Sequence, residues 1–225
     1  MLVCETSLSA TIDAVNAQLQ EETTLDTDAA QSVVRFLLDR QIRVGSRRGS
    51  FASFPEEFDT GVFLFTGERL RTRWGTRNVL TLESARILGL LAGEQSEVRD
   101  ALSRTAMTVG HACFAASHCV IGECAHSSLA YMRDAASDRY GGRRKWIERH
   151  VRVIGAHRDG TGRWGRFPFY YTLLVLLEVG TPSANAELAY ARPACRRVSG
   201  KAVTGAFAVR RKRIVQRILG ANARP

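Results

Sequence analysis

Gly49-Ser50-Phe51-Ala52-Ser53-Phe54-Pro55-Glu56-Glu57-Phe58 returns 113 residues later as Gly162-Arg163-Trp164-Gly165-Arg166-Phe167-Pro168-Phe169-Tyr170-Tyr171. Carried on to Gly67 and Gly180, six of 19 positions are identical, including Val62 with Val175 and Leu64 with Leu177; two more keep an aromatic ring. Half of that spacing is about 56 residues, the length of a helix pair with its loops. A weaker middle copy lies at Cys113-Phe114-Ala115-Ala116-Ser117, ahead of a helical stretch from Glu123. Helix pairs at a fixed period build a solenoid or toroid, in which each pair buries its apolar face against the next.

The sequence around these loops reads as helix. In 28–42, Val33, Val34, Leu37, Leu38 and Ile42 fall on one stripe, and Asp26 or Asp28 supplies a cap. A second helix is expected over 81–92 with Thr81 as cap, and a third over 98–109. A fourth is expected over 123–136, broken near Asp138 and Gly141-Gly142. A fifth is expected over 145–156. Residues 169–179 are apolar almost all round, the mark of a buried helix. Ser183 caps a seventh, and 206–219 forms a basic eighth. No alternating strand patterns flank a tight Asn-Gly or Asp-Gly turn, so no sheet is expected.

The chain has 225 residues, with 32 Lys plus Arg against 22 Asp plus Glu, a net charge of +10. A composition 45% hydrophobic excludes disorder as the main state. The longest apolar run, 167–179, falls short of the roughly 18 residues of a membrane span. The first residues lack a basic stretch followed by an apolar one, so no secretory signal is read. Five cysteines are too few for a disulfide scaffold, and the expectation is a cytoplasmic protein with reduced thiols. The positive charge is concentrated. Residues 188–225 carry ten basic residues and no acidic one, while residues 1–187 are balanced. The organisation expected is a helical-hairpin body over 1–198 and a basic C-terminal helix over 199–225, packed on the body or extending from it.

A helix ending in Gln41, then Gly49-Ser50-Phe51, then an apolar helix resembles the glutamine–glycine–aromatic repeat of squalene–hopene cyclases and protein prenyltransferase β subunits. Asp159-Gly160-Thr161-Gly162-Arg163-Trp164 is similar to a second copy, and the resemblance spans 28–198. It implies an α/α toroid, with inner helices around an isoprenoid cavity and outer helices covering them. The fold expected is therefore all-α, with repeated helical hairpins forming part of such a toroid. The chain departs from the family in its chemistry. The cyclase acid motif Asp-x-Asp-Asp has only Asp26-Thr27-Asp28-Ala29 as a counterpart, and there is no Asp-Asp-x-x-Asp and no Asp-x-Cys. The length provides about three or four helix pairs, short of a closed ring. Such a part-ring leaves apolar edges, so a homo-oligomer is a natural partner state.

The densest chemistry lies between His111 and His126, where His111, Cys113, His118, Cys119, Cys124 and His126 surround Glu123. Thiolate with imidazole suits zinc. On one unbroken helix Cys113 and Cys124 would lie about 16 Å apart and could not share an ion. If 113–122 is a loop and a helix begins near Glu123, a turn gathers them. Cys113, Cys119, Cys124 and His126 are then the candidate zinc ligands. Glu123 and Asp59 are candidates for a fourth ligand or an acid/base. The same residue types also fit a buried structural cluster, or a Cys–His nucleophile at Cys119 or Cys124. If the repeated loops open at one end of the bundle, Phe169, Tyr170 and Tyr171 line an apolar pocket there. Arg210, Arg211 and Arg213 form a candidate anion site. Three readings of function follow. One is a prenyltransferase- or terpene-cyclase-like protein holding an apolar or isoprenoid ligand with zinc. The second is a helical repeat binding nucleic acid through its C-terminal helix. The third is a non-catalytic scaffold that docks an acidic protein.

Overall fold

The computed structural model describes residues 2–21, 25–137, 143–200 and 204–220. The expected break at Asp138 and Gly141-Gly142 lies outside them, as do 201–203 and 221–225 of the C-terminal segment. Eleven helices among the described residues make the fold all-α: α1 (Leu8–Gln20), α2 (Thr27–Arg40), α3 (Pro55–Thr60), α4 (Arg73–Ala92), α5 (Ser96–Gly110), α6 (Cys113–Ala116), α7 (Cys124–Ala136), α8 (Arg144–Gly155), α9 (Phe169–Val179), α10 (Pro182–Ser199) and α11 (Ala206–Gly220). None is long and apolar enough to cross a membrane.

Three central helices stand side by side in the order α4, α7, α9. Helices α1, α2 and α5 pack on α4, α6 and α8 on α7, and α10 and α11 on α9. The central helices are the most buried, as their composition requires. In α9, Phe169 and every residue from Tyr171 to Leu176 are buried, and Gly180 ends the helix in the left-handed conformation. The basic α11 is no free tail, for Ile214, Val215 and Ile218 are buried against the body.

The repeated loops are closed in the same way, although the second is four residues shorter. Gln41 bridges Phe51 after α2, and Arg158 bridges Trp164 after α8. The matched glycines have φ of +87° at Gly49 and +88° at Gly162, a region other residues rarely enter. Phe51 and Trp164 are both buried. Each loop docks on an outer helix. Gln41 Nε2 donates to the carbonyl of Ala101 at 2.8 Å on α5, and Trp164 Nε1 donates to Glu187 Oε2 at 2.9 Å on α10. After the shared proline the copies diverge. Pro168 leads straight into α9, whereas Pro55 opens α3 and an inserted hairpin.

That hairpin corrects the expectation of no sheet. β1 (Val62–Phe63) pairs antiparallel with β2 (Arg69–Leu70) around a turn in which Gly67 N–H donates to the Leu64 carbonyl. The turn centres on Phe65-Thr66 and closes on Gly67, with φ +85°, in place of an Asn-Gly or Asp-Gly pair. Val62 and Leu64 therefore sit in a different element from Val175 and Leu177. Two cap positions also move. α4 begins at Thr72, whose Oγ1 accepts from Gly75 N–H at 3.0 Å, while Thr81 lies mid-helix and accepts from Phe51 N–H. Thr181 caps α10 two residues before Ser183, with Pro182 in the first turn. The middle copy has no bridge among the described residues.

Candidate metal centre

The segment after α5 makes a tight thiol-bearing loop. Cys113 opens α6, a single turn held down by Phe114, which is buried between Trp74 and Tyr131. The chain then reverses. Cys119 N–H donates to the Cys113 carbonyl at 3.3 Å, and Cys124 N–H to the Ile121 carbonyl at 3.1 Å. The reversal needs positive φ at two places, His118 (+54°) and Gly122 (+54°). Cys124 opens α7. The expected loop over 113–122 is thus half helix and half loop, and it gathers Cys113, Cys119 and Cys124.

The three sulfur atoms lie within 4.8 Å of one another, with Cys113 and Cys124 3.6 Å apart. Zinc–sulfur bonds of about 2.3 Å in a tetrahedron place sulfurs about 3.8 Å apart, so the trio is close to the spacing of one ion. Cys113 is exposed, and the other two are half-buried. A hydrogen bond from the Ile121 backbone lowers the Cys119 thiol; burial opposes it, and Cys124, Cys113 and Arg166 lower it further. Burial, then hydrogen bonding and charge from Cys113 and Cys119, push Cys124 up to about 12. All five cysteines are free.

His126 does not join the thiols. It is half-buried on α7, where burial lowers its pKa against the opposing charges of Glu123 and Glu68. Glu123, expected as an acid/base or fourth ligand, instead caps α4. It accepts from the N–H groups of Arg71 and Thr72 and from the Thr72 hydroxyl. Gly75 makes room for it, since a Cβ there would overlap the carboxylate. Asp59 lies exposed on α3, and the buried carboxylate of that helix is Glu57, which accepts from Ser9 N–H at 2.6 Å.

The three aromatic residues point into different surroundings. Phe169 packs beside Trp164 with the Arg163 guanidinium over its ring. The Tyr170 ring lies under Arg211. Tyr171 is fully buried and donates to Glu83 Oε1 at 2.6 Å. Two of the tail arginines are used internally. Arg210 forks onto Asp13 at 2.6 and 2.8 Å, and Arg211 Nε donates to the Thr66 carbonyl at 2.6 Å. Arg213 meets Glu21 at 3.0 Å, both exposed.

Two groups were missed. The first is a buried ion network on the central helices. Arg133 of α7 donates to both oxygens of Glu83 on α4 (2.9 and 2.8 Å) and to both of Glu178 on α9 (2.6 and 2.8 Å). Arg86 reaches Asn16 and Glu178, and Gln20 donates to Glu178. Burial opposes ionisation of Glu83 and Glu178, but Arg133 and Arg86 outweigh it and hold both carboxyls below their ordinary range. The signal was a lone glutamate at the end of the apolar run 169–179. The second is a ring stack beside the thiol loop. Trp146 of α8 stacks on both His118 and His150, whose Nδ1 atoms lie 3.2 Å apart, and Trp146 Nε1 donates to the Ala115 carbonyl of α6 at 2.6 Å. The stack clamps the thiol loop to α8.

No family model, characterised protein or solved structure matches the chain.

Proposed function

We propose that the chain is a thiolate metal-binding protein that holds one zinc-class ion on Cys113, Cys119 and Cys124. The convergence of three sulfur atoms within 4.8 Å carries this reading. A structural zinc site is closed by four protein ligands, whereas three ligands leave a position for a ligand from solvent. The exposed Cys113 places that position at the surface. Three thiolates on a divalent ion leave one negative charge, and Arg166, which acts on Cys119, lies where it offsets that charge. The isoprenoid-holding reading has the repeated helix pairs behind it, but Phe169, Tyr170 and Tyr171 point into different surroundings.

Metal analysis of protein purified without a histidine tag tests the proposal. About one equivalent of zinc is expected, with loss of most of it in Cys119→Ser and Cys124→Ser. Cobalt substitution should give intense thiolate-to-cobalt charge-transfer absorption. Less than about a tenth of an equivalent of any transition metal, together with no such absorption on titration, overturns it.

A further inference from the structure

We infer that the exposed face of α8 is a docking surface for the phosphate backbone of duplex nucleic acid. The helix buries Ile147, His150, Val151 and Ile154. Its opposite side exposes Arg144, Lys145, Arg149 and Arg152, which together line a shallow groove with Glu148. At about 100° per residue the four cations fall within a sector of about 140°, spread over about 12 Å of axis. None of the four side chains has an ion pair or hydrogen bond with another described residue. Arg43, Arg158, Arg210 and Arg213, by contrast, each meet a carboxylate. Glu148, the one acid of the helix, is turned to the Ser183 hydroxyl.

The face continues into the thiol loop. Arg149 acts on His118 and Arg166 on Cys119, and Trp146 ties the two elements together. A row of unpaired, mainly arginine cations seeks closely spaced phosphates. On α8 the face exposes no aromatic or apolar residue, and Ile121 is the large apolar side chain exposed on the thiol loop. A protein partner wants a buried apolar or aromatic anchor, and a single strand wants rings on which to stack, so neither fits as well as a duplex. The 12 Å spread is about the width of the major groove, which lets the two ends of the row reach phosphates on both rims. The contact needs no metal, so it stands apart from the thiol centre.

Fluorescence anisotropy of the full chain with a labelled 20-base-pair duplex of mixed sequence, between about 50 and 200 mM salt, tests the inference. Four contacts predict a slope of log K against log salt of about −3.6. Arg149→Gln with Arg152→Gln should weaken binding at least tenfold and make the slope shallower by about two. Arg144→Gln with Lys145→Gln should do the same. Both pairs are exposed and unpaired, and an unchanged melting curve shows that they fold. Lys212→Gln with Arg217→Gln on α11 should leave binding unchanged. Absence of binding at 50 mM salt overturns the inference, as does binding indifferent to both α8 pairs or lost in the α11 pair. Tighter binding to a single strand of equal length, or equal α8-dependent binding to phosphatidylserine vesicles, overturns it too.

Discussion

Arg133 shows what one side chain is asked to do. It is 1% exposed and donates to two glutamates from two different helices. Alone, each of the three charges would be too costly to bury. Together they satisfy one another, and Asn16, Gln20 and Tyr171 take up further bonding capacity. The network therefore contributes alignment of α4, α7 and α9 more than net energy. Arg133→Met keeps the bulk of the side chain and removes its charge, leaving Arg86 as the cation that meets Glu178 and acts on Glu83. A loss of about 3–5 kcal/mol in chemical denaturation is expected. An unchanged midpoint and slope would mean that the carboxylates are hydrated in the native protein.

At the scale of elements, three glutamates recur in one role. Glu57 accepts from the first turn of α1, Glu68 from Tyr170 and Tyr171 N–H at the start of α9, and Glu123 from the entry to α4. Each belongs to a different segment from the helix it caps, so each fixes one element on another as well as satisfying orphan N–H groups. Glu123→Gln keeps the shape and halves the acceptor capacity. The expected result is an unchanged metal content with stability lowered by about 1 kcal/mol, read by metal analysis and thermal melting of one preparation. Loss of the metal in that variant would return Glu123 to the ligand set. This also explains what the sequence could and could not reveal. The long helices were legible because Val33, Val34, Leu37 and Leu38 mark a stripe at helical spacing, and the bridge loops because Gly49 and Gly162 must adopt positive φ. The sequence also marks α1, through Ser7 as its cap and the helical spacing of Leu8, Ile12 and Val15. Glu123 and His126 were misplaced because proximity along the chain near Cys124 says nothing about which way α7 points them. The caps at Glu57, Glu68 and Glu123 and the Glu83–Arg133–Glu178 contacts join residues roughly 50 to 100 apart, beyond any local pattern.

The molecule as a whole keeps its ionisable groups in opposite states around one core, and that makes it acid-sensitive in two steps. His150 is fully buried and neutral, its pKa pushed down to about 3 by burial and then by His118. In the unfolded chain a histidine titrates near 6.5. Between these values the unfolded state holds a proton that the folded state refuses. Stability from this group is therefore fully present above about pH 6.5 and drains away as the pH falls toward 3, at no more than about 1.4 kcal/mol per pH unit. Glu83 and Glu178 have folded-state pKa values held below the ordinary carboxylate range. Their contribution is present above about pH 4.3 and is lost as the pH drops below it through their folded values. Unfolding by urea at a series of pH values should show a gentle loss of stability from about pH 6.5 that steepens below about 4.3. His150→Phe removes the buried imidazole and should make the upper step shallower while leaving the lower one, the rest of the upper step belonging to His118 and His126, whose pKa values burial also lowers. An upper step of unchanged slope in that variant would show that His150 takes up its proton in the folded state, and that the ring stack against Trp146 admits a charged imidazole.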